Sequence, residues 1–374
     1  LRNFAFGMIA VFSPIYFFFI FYGLGFICLF LGLQALANGL MRLPYANFLS
    51  RRKKDVRVPF AVSLLLLGVV YGAYAYFIDD KTVLLFIALI DGALQCALWS
   101  SYHYVFSAAQ HHKHIGSQVG VMYDGSYISA IIAIALAGFI GQQFGLVYNF
   151  LIGAIVLLFA AILVLRSKIS WPHRSRAIKQ QHVNIKHIWR DALAGSSNII
   201  DASIVAVLWP LLFVVFSFLN YTQVGLVVAA GLTASLLANL VFGRIADDVD
   251  RARILLDFGL FGTMLVYMLR LISISSGFGL IILNLLAQIV RGSVDVSYSV
   301  LFYRRLKKAD SKIRYIATYE TITGFALAAF FGVLWFVQYA GGSDKITLII
   351  AFMIAITLTP LTRLIASDNF KEFK

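Results

Sequence analysis

Long apolar stretches alternate with short polar breaks along almost the whole chain. Twelve of them fall at about 3–21, 25–48, 58–78, 83–107, 118–142, 145–165, 191–218, 222–243, 254–274, 277–303, 316–339 and 345–366. Each is near the ~20 residues that a helix needs to cross a bilayer. Without water in the hydrocarbon, backbone groups must pair within the segment or around a closed barrel. The runs 151–165 and 345–358 lack the alternation of a barrel strand and read as helices. The pattern predicts an all-α integral membrane protein of about twelve spans. The first stretch runs into a second with no small-residue cleavage site, so it reads as a span and not as a cleavable leader.

Composition agrees: 61% of residues are hydrophobic and 13% charged, against roughly 45–50% and 25% in soluble domains. Cys28 and Cys96 both lie in apolar runs, so no disulfide framework is implied. The net charge of +14 changes the picture only through its distribution. Of 31 basic residues, 26 fall in one set of loops or at the termini, including Arg51, Arg52, seven from Arg166 to Arg190, and six from Arg304 to Arg314. The opposite loops hold Lys81 and Lys345, and Arg42, Arg270 and Arg291 lie within helices. The positive-inside rule places the basic loops and both termini in the cytoplasm of a plasma-membrane protein. Loop charge of this kind accounts for the basicity, so no nucleic-acid partner is expected.

The chain also repeats itself at a shift of 196 to 200 residues. Ala10-Val11-Phe12-Ser13-Pro14-Ile15-Tyr16-Phe17 matches Ala206-Val207-Leu208-Trp209-Pro210-Leu211-Leu212-Phe213, Asp91-Gly92 matches Arg291-Gly292, and Tyr123-Asp124 matches Tyr319-Glu320. Two six-helix halves of the same orientation are expected, 1–165 and 191–374, joined by a cytoplasmic loop at 166–190. Parallel halves place a substrate site at their interface near the midplane. If Pro14 matches Pro210, Arg2 matches Asn198 inside helix 7, so helix 1 is expected to begin before residue 1.

The segment Gly243-Arg244-Ile245-Ala246-Asp247-Asp248-Val249-Asp250-Arg251-Ala252-Arg253 resembles the loop signature G-x-L-A-D-R-x-G-R-K of the major facilitator superfamily. Gly243, Ala246, Asp247 and Arg251 match, while Asp248 and Asp250 depart from it. The first-half counterpart, Ala46 to Lys54, is weaker, with Ser50 in place of the aspartate. Trp99-Ser100-Ser101-Tyr102-His103 is similar to a pattern in prokaryotic members. The resemblance implies two parallel-repeat bundles, with helices 1, 4, 7 and 10 around a central cavity. It also implies signature loops that approach helices 11 and 5 of the opposite half.

Ionisable groups inside a membrane are costly and usually face a cavity or each other. Asn284, Gln288, Arg291, Asp295 and Tyr298 recur at steps of 4, 3, 4 and 3, a single stripe on a helix. Asp91, Gln95, Trp99 and His103 form a shorter stripe on helix 4. By the resemblance both would face the cavity, giving Asp91, Gln95, Trp99, Gln288, Arg291, Asp295 and Tyr298 as substrate contacts. The blander reading is that Arg291 and Asp295 merely neutralise one another. Asp201, near mid-membrane in helix 7, is the proton-exchange candidate, or else a structural carboxylate paired with Arg2 or Arg291. The resemblance pairs Glu320 with Arg51 or Arg52, and Asp124 with Arg251 or Arg253, as a conformational latch that includes Asp247.

His111, His112 and His114 have no acidic or cysteine partners nearby and read as a solvated loop, not a metal site. Gly138, Gly141 and Gly145 read as helix-packing positions. No phosphate-binding loop or nucleophile motif is present, so neither catalysis nor a cofactor is expected. The expected function is a monomeric secondary transporter of a small organic solute, proton-coupled or facilitative. A transporter-fold sensor or scaffold using the basic segment 166–190, and a lipid flippase, are the alternatives.

Overall fold

The computed structural model describes residues 1–21, 23–51, 56–109, 115–167, 185–215, 219–273, 277–309 and 311–367. Arg52, His111, His112 and His114, and most of 166–190, lie outside the described residues. Twelve described helices are long and apolar enough to cross a membrane. They are α1 (Arg2–Phe21), α2 (Leu24–Leu49), α3 (Arg57–Tyr76), α4 (Lys81–His103), α5 (Ser117–Gln143), α6 (Val147–Arg166), α7 (Ile188–Val214), α8 (Tyr221–Ile245), α9 (Val249–Ile272), α10 (Gly279–Lys307), α11 (Lys312–Tyr339) and α12 (Asp344–Ala366).

Two proline kinks express the sequence repeat. A proline lacks the N–H for the i−4 carbonyl and its ring crowds that turn. α1 breaks at Val11, three residues before Pro14, and α7 opens into a π-turn over Ile204–Leu208 ahead of Pro210. The packing repeats too. α1 packs on α5 and α6, α2 on α4, and α3 on α4 and α6; six helices later α7 packs on α11 and α12, α8 on α10, and α9 on α10 and α12. Between the halves the two long seams are α5–α8 and α2–α11, which the same six-helix shift exchanges.

Glycines let the seams close. A Cβ on Gly324 would lie 2.8 Å from the Gly39 Cα, and one on Gly138 3.2 Å from the Gly225 Cα. Gly120 meets Gly243 in the same way at the end where the basic loops lie, hereafter the basic face. Gly145 corrects the expected packing triplet: with φ of 106° it forms the turn between α5 and α6. Only glycine adopts that backbone without strain.

Candidate functional site

A cavity of about 670 Å³ lies between the halves. Its lining at the basic end is aromatic and polar, with Trp99, Tyr102, His103, Tyr298, Phe302 and Tyr303. Toward the opposite face it turns aliphatic, with Val11, Ile134, Ala206, Val228, Leu232 and Leu327. The two kinks contribute directly, because Ala10, Val11, Ala206 and Pro210 all line it.

Trp99, Gln288, Arg291, Asp295 and Tyr298 line the cavity, whereas Asp91 and Gln95 do not. Asp91 is buried inside the first half, where it accepts from the Tyr74 hydroxyl (2.9 Å), Gln34 Nε2 (2.8 Å) and Gln95 Nε2 (3.3 Å). Helical geometry explains this correction. Each step of four residues overshoots a full turn by about 40°, so a run of equal steps winds around the helix. Trp99 and His103 reach the cavity while Asp91 turns toward α2 and α3. On α10 the alternating steps of four and three cancel that drift.

Arg291 forms an ion pair with Asp295 at 2.6 Å and another with Asp201. Asp201 also accepts from the Tyr267 hydroxyl. The proton-exchange candidate is therefore held by two donors of its own half, and it does not line the central cavity. Buried charges are tolerated only when paired and hydrogen-bonded, which this triad achieves. Nearby, the fully buried Arg270 stacks on Trp209, its carbon 3.6 Å from the ring centroid.

The latch residues are arranged differently from expectation. Glu320 pairs with Arg42 of α2, and its Oε1 lies 3.4 Å from His103 Nε2. α11 begins at Lys312, so Glu320 sits about 12 Å inside the helix, level with Arg42. The Arg51 side chain lies outside the described residues. Asp124 is similarly deep in α5; its buried Oδ1 accepts no hydrogen bond among the described residues. Arg253 instead pairs with Asp250 at 3.1 Å, and Arg251 is exposed.

The loop aspartate does bridge the halves. Asp247 accepts from the Ser117 backbone N–H at 3.0 Å and from its hydroxyl, at the start of α5. Free N–H groups at a helix start favour a carboxylate. Asp248, which departs from the signature, caps α9 by accepting from Asp250 N–H (3.0 Å) and Arg251 N–H (2.9 Å). The Arg251 N–H foremost holds the Asp248 carboxyl below its usual value, so this cap persists until pH falls through that lowered value.

Sequence reasoning placed Arg42 within a helix and assigned it no role; a cation facing the Tyr-acid repeat of α11 at matching depth was the available signal. Arg2, offered by the sequence as a partner of Asp201, instead stacks on Trp99 (4.6 Å) and Tyr102 (4.4 Å) at the cavity wall.

The sequence profile of the Major Facilitator Superfamily matches residues 1–218, more than half of the chain. The chain belongs to the major facilitator superfamily. Its architecture is accordingly similar to solved major facilitator-like transporters across nearly its full length. The nucleoside transporter NupG aligns with a TM-score of 0.64 at 14% identity, covering 97% of this chain and 96% of that one. A bacterial homologue of the iron transporter ferroportin, in an outward-facing state, aligns with 0.65 at 12% identity, covering 98% and 96%. No curated protein matches the sequence. At these identities the likeness speaks for the fold. Family and fold together make this a multi-pass membrane protein of a transporter superfamily, and point away from an enzyme.

Proposed function

We propose that the chain carries a small amphipathic organic solute across the membrane by alternating access, as a monomer, with its basic face in the cytoplasm. The halves 1–165 and 191–374 would rock about the cavity, with 166–190 as their tether. The observation that carries this reading is the cavity's division into an aromatic, polar end and an aliphatic end. Aromatic walls bind planar rings, and a few fixed polar groups orient them. Trp99, Gln288, Arg291, Asp295 and Tyr298 supply the polar and aromatic contacts of the solute. A solute of nucleoside size and mixed character suits the volume.

Uptake by proteoliposomes of the full chain, screened over amphipathic organic solutes with and without a pH gradient, tests the proposal. Saturable uptake that Trp99→Ala and Gln288→Ala weaken at least tenfold supports it. Lipid scrambling in the same vesicles without any solute uptake would replace it with a flippase.

A further inference from the structure

We propose that Glu320 is a proton-binding site that operates the α2–α11 seam. When its carboxyl is protonated, the ionic tie to Arg42 is lost and the basic face is free to open. This rests on the alternating-access reading and assigns the group that couples it to pH.

The argument begins with which carboxylates join the halves. Asp201 is held by Arg291 and Tyr267, both of the second half. Asp91 is held by Gln34, Tyr74 and Gln95, all of the first. Asp295 takes its ion pair from Arg291 of its own helix, with the Tyr127 hydroxyl of α5 at 3.4 Å. A proton on any of these alters pairing mainly within one half. Glu320 is different, because its partners Arg42 and His103 both belong to the other half. It also lines the cavity, so a proton can reach it from the space that the solute occupies.

Arg42 is built to lose this partner. Its Nε donates to Asn38 Oδ1 (2.8 Å), and its Nη1 to the Cys96 carbonyl (3.1 Å) and Ser100 Oγ (2.9 Å). All three acceptors are uncharged and lie on α2 or α4. When the halves part, Arg42 keeps these bonds and no bare cation is left behind. Three residues from Arg42, Gly39 meets Gly324 backbone to backbone, so the tie sits beside a close approach of the two helices.

The chemistry is a simple protonation. The Glu320 carboxylate takes one proton from cavity water and becomes a neutral acid; no other bond changes, and release of the proton restores the pair. The groups facing it are Arg42 of α2, His103 of α4, and Tyr303 of α10, whose hydroxyl is 2.9 Å from His103 Nδ1. Tyr319 stands beside it on α11, with Asp191 of α7 behind, and Arg2 of α1 lies near the same aromatic cluster. Of these, His103 could titrate instead, but with the opposite sign. A charged imidazolium would strengthen the hold on Glu320 and keep the seam shut.

That sign makes the proposal testable. The full chain in lipid nanodiscs carries spin labels at the exposed positions Val58 and Ile254 on the basic face, and distances are measured at mildly alkaline and mildly acidic pH. Infrared spectra record protonated carboxyl in parallel. Acidification is expected to raise the population of the longer distance about tenfold for each pKa unit by which the open state holds the proton more tightly. A protonated-carboxyl band should appear with it. Glu320→Gln should show the longer distance at both pH values and lack the band. Arg42→Gln, a second route should that variant fold poorly, should be open at both pH values with the band already present. The proposal is overturned if acidification shortens the distance, if His103→Gln but not Glu320→Gln abolishes the response, or if the unmodified residues give no response. A second label pair at Phe144 and Tyr339, on the opposite face, separates the two readings. If it never moves while the basic face responds to Glu320, the proton site stands and alternating access falls.

Discussion

Asp247 reaches across the seam between the halves and accepts both hydrogen bonds that Ser117 can donate, from its backbone N–H and from its hydroxyl. Its own carbonyl accepts from Arg304 Nη2 at 2.5 Å, which ties the same loop to α10. The aspartate of the signature thus holds α5 to the α8–α9 turn at the basic face. Hydrogen bonds to a charged acceptor contribute roughly 1.5–3 kcal/mol. Asp247→Ala should shift the seam toward the open form by an amount in that range, and Ser117→Ala, which spares the backbone bond, by less. Distances between spin labels on α5 and α9 check the ranking; equal effects would assign the tie to the hydroxyl alone.

The glycine contacts make a steric prediction. The Cβ of Gly324→Ala would fall 2.8 Å from Gly39 Cα and 3.0 Å from Gly39 N, against backbone that cannot yield without parting the helices. Overpacking of this kind costs about 1–3 kcal/mol. Gly72→Ala meets nothing within 4 Å, and replacing a mid-helix glycine should gain about 0.5–1 kcal/mol. Thermal unfolding in detergent should therefore move in opposite directions for the two variants.

Asp91 offers a test of its placement away from the cavity. Asp91→Asn puts an amide N–H₂ where Tyr74, Gln34 and Gln95 already supply donors. Leaving such a group unsatisfied costs about 1–3 kcal/mol. The variant should be less stable yet bind solute with unchanged affinity. A stable variant with weakened binding would return Asp91 to the substrate site.

Arg291 should be the most sensitive position in the second half. Arg291→Gln leaves the buried Asp201 and the partly buried Asp295 without their cation, a loss of about 3–5 kcal/mol. Adding Asp201→Asn to that variant should recover part of the stability without restoring uptake, since Arg291 faces the cavity and Asp201 does not. Unfolding and proteoliposome uptake measured on both variants separate the structural share from the binding share.

The number of spans, the repeat and the superfamily were legible in the sequence because they rest on local signals. A run of apolar residues suffices for a membrane helix whatever its neighbours, and a proline kinks its own turn. Most of the stripe on α10 was legible for the same reason, since its spacing fixes one face, while Asn284 at its start turns from the cavity to bond Trp209 and the Val227 carbonyl. What a helix face meets across a seam is not a local property. The uniform steps of four on α4 concealed a rotation that carries Asp91 into the first half. The pairing of Glu320 with Arg42 depended on relative depth: α11 begins four residues before its predicted start, which sets Glu320 level with Arg42. For Asp201 the sequence left a choice between an isolated acid and a carboxylate paired with Arg2 or Arg291; Arg291 arrives from α10, and Tyr267 joins it from α9. Charges in a low dielectric are defined by the groups folding brings to them, so the sequence alone determined the helices and the tertiary structure alone decided which of their charges are satisfied within a half and which between halves.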